Sequence, residues 1–337
     1  MIMKRILVFR HDKIGDFVLL WPALSLLKNA MPDTSIEVFV TPVLKSFALA
    51  CPYVDHVIVD SGDDQAIRKE IDARQYDAAL VSNSQFRIYK IIRNLNIPYV
   101  LAPKHNWYQY FYKNRTDAQY KVGEGCWRGG CMLIEAFLTA HNMTIPALPK
   151  RYWDVTAERE HWQQYYGKQN DEKLIFVHPG TGGSSGSLPT KDFIKLITQV
   201  DQSTQHKCRF VLTFSGEEAN LAGAIFDEVS KQGVNITLAK PLKDLTDFAK
   251  SIVAADMFMA GSTGPLHIAG LHNVPTVGFY AGRKSQPKVR WQTLSEQHKR
   301  LAFTPPESKR TGRDMSLVDI DYTAKSIAEF LNTYYTK

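Results

Sequence analysis

Short runs rich in β-branched and aromatic residues alternate with helix-period segments along nearly the whole chain, and no other feature narrows the fold as far. Strands separated by helices cannot pair as hairpins. They build parallel sheets whose two faces are covered by the intervening helices. In the first half the expected strands are Arg5–Phe9, Ile36–Val40, His56–Val59, Ala78–Val81 and Pro98–Leu101. In the second they are Leu174–His178, Arg209–Phe214, Asn235–Ala239, Met257–Ala260 and Thr276–Tyr280. The 337 residues accommodate two cores of this kind. The reading is α/β, with two Rossmann-like domains on parallel sheets at residues 1–150 and 173–318. Residues 151–172, dense in charge and with one short helix expected at Ala157–Tyr166, read as an interdomain connection. Residues 319–337 place Ile320, Ala324, Ile327, Ala328 and Leu331 on one face of a helix. That helix is expected to dock on a domain surface, with the N-terminal domain as the candidate.

Composition excludes several classes. The hydrophobic fraction is 44% and the charged fraction 22%, and no apolar run approaches the ~18 residues of a spanning helix. Lys4 and Arg5 precede only Ile6 to Phe9 before the chain turns polar, too short for the h-region of a signal peptide. A cytoplasmic location is expected. Cys51, Cys126, Cys131 and Cys208 form no CxxC pair and no Cys/His metal pattern, which points to reduced thiols and not to disulfides or a zinc site; no cofactor is expected. The net charge of +7 favours anionic partners. No nucleic-acid signature or long basic block accompanies it, so nucleic acid is not the expected partner.

Five segments carry candidate chemistry. Arg10-His11-Asp12-Lys13-Ile14-Gly15-Asp16 follows the first strand and opens a helix with Phe17, Leu20, Trp21, Leu24 and Leu27 on its apolar face. Its single glycine does not make the G-x-G-x-x-G of a dinucleotide site, and Asp16 can be read as a helix N-cap. His178-Pro179-Gly180-Thr181-Gly182-Gly183-Ser184-Ser185-Gly186 lies between a strand and a helix beginning near Thr190. Glycines there let amides approach an anion, Thr and Ser add hydroxyls, and the helix end adds its dipole. The segment could equally be a structural loop, and it matches neither the dinucleotide nor the P-loop pattern. Gly261-Ser262-Thr263-Gly264-Pro265-Leu266-His267 offers a second anion site, with Ser262 or Thr263 as cap and Pro265 at the first helical position. His267 there has the alternative of an ordinary helix-face residue. Ser215-Gly216-Glu217-Glu218 could bring a carboxylate to a ribose, or simply start a helix. Finally, the run from Lys104 to Arg115 interleaves rings with cations, which suits a membrane edge or a glycolipid head group, or a packed surface loop.

In order and spacing, Gly15-Asp16 with Pro22-Ala23-Leu24, then His178 to Gly183, then Thr263-Gly264-Pro265-Leu266-His267 with Val274-Pro275-Thr276-Val277 resemble glycosyltransferase family 9, the ADP-heptose:lipopolysaccharide heptosyltransferases. The resemblance spans nearly the whole chain. It implies the GT-B fold, two Rossmann-like domains facing a central crevice, and metal-independent, inverting transfer of heptose from ADP-heptose. The implied acceptor is an inner-core or related anionic glycolipid such as Kdo-lipid A, reached by peripheral contact with the cytoplasmic face of the inner membrane. Asp16 matches the family's base; Arg10, His11 and Lys13 are the acceptor-side candidates. Thr181, Gly182, Gly183, Glu217, Ser262, Thr263, Gly264 and His267 are the donor-side candidates. The chain departs from the family in three places. Gly186-Ser187-Leu188-Pro189 stands where relatives carry a phosphate-binding Lys and Trp-Pro, leaving Lys191 as the substitute cation. Ser262 and Asn220 stand where acidic residues are usual. Another GT-B transferase, a sugar-nucleotide 2-epimerase, or a non-catalytic glycan- or nucleotide-binding relative are the competing readings.

Overall fold

The computed structural model describes residues 3–83, 85–121, 123–183, 186–240, 242–284 and 287–335. The chain divides into two compact units, Met1–Trp153 with Asp244–Thr246, and Asp154–Lys243 with Asp247–Lys337.

The first unit holds β1 (Arg5–Phe9), β2 (Ser35–Val40), β3 (His56–Val59), β4 (Ala78–Leu80), β5 (Tyr99–Pro103) and β6 (Asn114–Thr116). They form one sheet in the order β3-β2-β1-β4-β5-β6, every pairing parallel. Residues 6–9 of β1 are wholly buried, as a central strand covered on both faces must be. Leu7, Phe9, Phe39, Ile58, Ile88 and Ile91 form part of one layer of core. Phe17 and Trp21 pack around Phe47, and Trp153 stands 5.5 Å from the Trp21 ring and 5.7 Å from Phe47. That contact holds the chain in the first unit as far as Trp153.

The second unit holds β7 (Glu172–His178), β8 (Lys207–Leu212), β9 (Ile236–Leu238), β10 (Met257–Gly261), β11 (Thr276–Phe279) and β12 (Arg300–Phe303), ordered β12-β11-β10-β7-β8-β9 and again all parallel. In both sheets the strand order reverses once, beside β1 in the first and beside β7 in the second. The crevice outside the carboxyl ends of strands at such a reversal is where open α/β sheets bind ligands.

Within the expected connection, the short helix Arg159–Tyr165 packs on the second unit. Arg159 bonds Asp256 at 2.7 Å and the Val253 carbonyl at 2.6 Å, Trp162 is buried, and Tyr166 meets both Ser251 and the Phe176 ring. The C-terminal helix Ile320–Tyr334 does not return to the first unit. Its apolar face is spent within the second core, where Ile320, Ala324, Ile327 and Leu331 join Phe193, Leu196 and Val200 of the helix Thr190–Ser203. Lys195 and Gln199 bond Asp321, and the Tyr335 hydroxyl donates to the Asp256 carbonyl. The edge strands are β3 and β6 in the first sheet and β9 and β12 in the second, each with one pairing side. β6 (Asn-Arg-Thr) has no apolar residue, and of β12 (Arg-Leu-Ala-Phe) only Phe303 is buried, so neither shows the pattern of a covered strand.

Candidate functional site

In the first unit, the turn after β1 lies at the strand-order reversal. Arg10 continues the sheet through its amide, which donates to the Phe39 carbonyl. Its guanidinium is held by two carboxylates, Nη2 to Asp16 Oδ1 at 2.9 Å and Nε beside Asp12 Oδ1 at 3.0 Å. Lys13, not Asp16, occupies the capping position of the helix Ile14–Val18, and it makes no side-chain cap bond. Asp16 sits in the first helical turn, so the capping alternative for it is corrected and its carboxylate answers to Arg10. Burial pushes the Asp12 carboxyl up to about 6, against the pull of Arg10 and with Asp16 adding like-charge repulsion. Asp12 was not singled out from the sequence, although its spacing of four residues from Asp16 was the available signal. His11 is buried with its ring 5.4 Å from Phe39, and burial lowers its basicity. Lys13 is exposed. The structure thus gathers Arg10, Asp12 and Asp16, with His11 set into the core beside them.

In the second unit, three motifs follow adjacent strands. β10 pairs with β7 through Ala260 and His178, and β7 pairs with β8 through Val177 and Leu212, so the turns after all three share one sheet edge. Gly182 and Gly183 adopt φ of +51° and +70°, the left-handed region that favours glycine. Gly180 leaves room for a partner: a Cβ there would stand 1.9 Å from the Glu218 carboxyl carbon and would displace that side chain. That carboxylate accepts the Gly182 amide at 3.0 Å with one oxygen. With the other it accepts the Ser215 amide and hydroxyl at 3.1 and 2.8 Å. Glu218 therefore ties the glycine loop to the turn after β8. Its Ser-x-x-Glu capping box was the sequence signal for the bonds to Ser215 and not for the one to Gly182, whereas Glu217 is exposed. His178 hydrogen-bonds the Thr213 hydroxyl at 3.0 Å and lies 3.6 Å from Glu218; burial drives its pKa down to about 4. Thr181 is half-buried and Lys191 exposed, in the first turn of the helix Thr190–Ser203. Ser184 and Ser185, read as further hydroxyl donors, lie outside the described residues.

Beyond β10, Thr263 is the cap residue of the helix Gly264–Leu271, with Gly264 rather than Pro265 as the first helical residue. The Thr263 side chain makes no cap bond. The residue is 4% exposed, and its hydroxyl has no hydrogen-bond partner among the described residues. One turn on, His267 is buried, its Nδ1 likewise has no partner among them, and burial lowers its pKa to about 4. Ser262 is half-buried, and its amide donates to the Phe279 carbonyl. Buried polar groups left unsatisfied cost about 1–3 kcal/mol each, and here two stand at the positive end of one helix. Among the described residues no group of three His, Cys, Asp or Glu side chains is placed to hold a metal ion.

The model of glycosyltransferase family 9 (heptosyltransferase) matches residues 65–317. A Haemophilus influenzae protein named "Putative glycosyltransferase" is 33% identical over 344 aligned positions, covering 99% of this chain and 98% of that one. Among solved structures, Escherichia coli ADP-heptose LPS heptosyltransferase II superposes with a TM-score of 0.76 at 18% identity, and a family 9 glycosyltransferase from Veillonella parvula with 0.77 at 15%. Each of these superpositions covers 98% of both chains. The structural likeness shows the GT-B fold; the family match and the 33% relative show that this chain belongs to glycosyltransferase family 9, the heptosyltransferase family.

Proposed function

We propose that this chain transfers heptose from ADP-heptose, with inversion, to an anionic inner-core glycolipid acceptor such as Kdo-lipid A at the cytoplasmic face of the inner membrane. One observation carries the donor half: the Thr263 hydroxyl and His267 Nδ1 are buried without partners at the N-terminus of the helix Gly264–Leu271, beside the strand-order reversal. A diphosphate satisfies what that end leaves open, taking the hydroxyl and the unbonded amides of the first helical turn. His267 enters as a neutral group, because protonation is suppressed to about pH 4.

On the acceptor side, Asp16 is the base. Arg10 orients it through the 2.9 Å bond, and burial raises the pKa of the neighbouring Asp12 carboxyl to about 6. Asp16 removes the proton from an acceptor hydroxyl, whose oxygen attacks the anomeric carbon. The bond from that carbon to the β-phosphate oxygen breaks, and its electron pair leaves with ADP. The growing charge on the diphosphate falls to protein groups: the helix end, Thr263, the glycine-loop amides and Lys191. His11 supports the turn from the core side, and Lys13 is the exposed cation available to an anionic acceptor. Glu217 and Ser262 are assigned to the nucleotide sugar with Thr181, Gly182, Gly183 and Gly264.

The test is product analysis with purified protein, ADP-heptose and Kdo-lipid A, together with thermal shift against ADP- and UDP-sugars. Stabilisation by ADP-heptose and heptosylated product are expected. Stabilisation without any product would leave a nucleotide-binding protein, and a response to UDP-sugars alone would replace the donor.

A further inference from the structure

We propose that the exposed rings of Trp107, Tyr110 and Phe111, with the cations around them, form a surface by which this chain sits on an anionic lipid bilayer. The rings are displayed by a built turn, not a loose loop. Asn106 and Gln109 form a reciprocal capping box around the 3-10 turn Trp107–Phe111, and Gln109 and Tyr112 are buried beneath it. The spacing i, i+3, i+4 then puts residues 107, 110 and 111 on the outer side, 69%, 70% and 52% exposed. Phe86 and Tyr89 of the helix Phe86–Ile92 extend the apolar surface, with Phe86 5.7 Å from Trp107 and 5.9 Å from Phe111, and Tyr89 5.2 Å from Phe111. Contiguous exposed rings of this size mark an interaction site.

Charge selects the partner. Residues 86–93 and 104–115 contain Arg87, Lys90, Arg93, Lys104, Lys113 and Arg115 and no Asp or Glu, in a chain whose whole excess is +7. Arg87 is taken up by Asp60 and Asp64. The other five have no carboxylate within ion-pair distance among the described residues. Lys90 lies 5.0 Å over the Phe86 ring and Arg115 4.8 Å over Tyr110, so charge and ring are presented together. Indole and phenol groups settle at the headgroup level while Lys and Arg meet anionic lipid, which is the chemistry of an interfacial anchor. No helix among the described residues is long and apolar enough to cross a membrane.

Position gives the surface a purpose. These segments follow β4 and β5, and in the parallel sheet their carboxyl ends lie on the same edge as the turn after β1 that carries Asp16. Seating this edge on the bilayer brings a lipid-anchored acceptor to that turn. The inference rests on that membrane-side reading and names the surface for it; bilayer binding is read without donor or acceptor, so its failure is distinct from failure of the transfer reaction.

The test is co-sedimentation of the full chain with phosphatidylglycerol-containing vesicles and with pure phosphatidylcholine vesicles. Binding to the anionic vesicles only, weakening with salt, is expected. The triple change Lys90→Gln, Lys113→Gln, Arg115→Gln should weaken it roughly a hundredfold, about fivefold per cation. Trp107→Ser, Tyr110→Ser, Phe111→Ser should abolish it, and cooperative thermal unfolding of the same proteins reports that they are folded. If the ring variant fails to fold, the charge variant decides alone. No binding by the wild type, equal binding to both lipids, or binding unchanged in the charge variant overturns the proposal. So does a wild type that binds a soluble glycolipid head group or another protein but no vesicles.

Discussion

Thr263→Val separates a binding hydroxyl from a structural one, because the two roles predict opposite signs in two assays. The hydroxyl is buried and unpartnered among the described residues, and it makes no cap bond. Removing it therefore forfeits none of the ~1 kcal/mol usually lost with an N-cap side chain. It also removes an unsatisfied polar group worth about 1–3 kcal/mol, so the ligand-free protein should be unchanged or more stable by about 1 kcal/mol. For a unit of this size that is roughly 2–4 °C in Tm. If the hydroxyl donates to a diphosphate oxygen, its loss costs about 1.5–3 kcal/mol, or roughly 10- to 150-fold in Kd for ADP. Thermal shift reads both effects. At an ADP concentration about 100 times the wild-type Kd, the nucleotide stabilises the wild type by about 2.7 kcal/mol. The variant should gain only about 1.4 kcal/mol after a tenfold loss and about 0.4 after a hundredfold loss. A variant that is destabilised by about 1 kcal/mol yet binds ADP like the wild type would refute the argument, since that is the behaviour of a capping or packing residue.

Three further outcomes are expected. Asp16→Asn keeps an oxygen for Arg10, so its stability cost should stay within about 1 kcal/mol, while turnover falls roughly 10²–10⁴-fold with donor binding intact; steady-state kinetics beside urea unfolding decides, and unchanged turnover removes Asp16 from the mechanism. Glu218→Gln weakens an intramolecular competitor for the Gly182 amide and should tighten ADP binding by up to about tenfold in calorimetry; weaker binding would instead show that Glu218 contacts the nucleotide. For pH, His267 is depressed to about 4, so protons enter the unfolded state first, and the stability it contributes is lost as pH falls from about 6.5 towards 4. Asp12, raised to about 6, acts in the opposite sense: its contribution is full below about 4 and lost as pH rises through 6. His267→Gln and Asp12→Asn should each flatten its own window in unfolding free energy against pH, and profiles parallel to the wild type would contradict the assignments.

By itself the sequence determined the α/β class, the ten strands β1–β5 and β7–β11, and the turns at which the glycine-rich and Thr-Gly-Pro motifs sit. Those signals are local: a strand covered on both faces must be apolar along its length, and a helix must start on residues that suit its free amides. It also carried enough ordered motif to point to the family. Only the tertiary structure decided what the side chains at those turns do. Asp16 reads as a cap from its neighbours, yet Arg10 claims it because the turn folds back on the end of β1. Glu218 lies 36 residues from the Gly182 amide it binds, and His178 lies 35 from its Thr213 partner, pairings made by strand order and not by spacing. The helices Arg159–Tyr165 and Ile320–Tyr334 show the same limit. An amphipathic face announces that it must be buried, but the surface that buries it is set by Asp256, Ser251 and the helix Thr190–Ser203, contacts that exist only once the second sheet has formed.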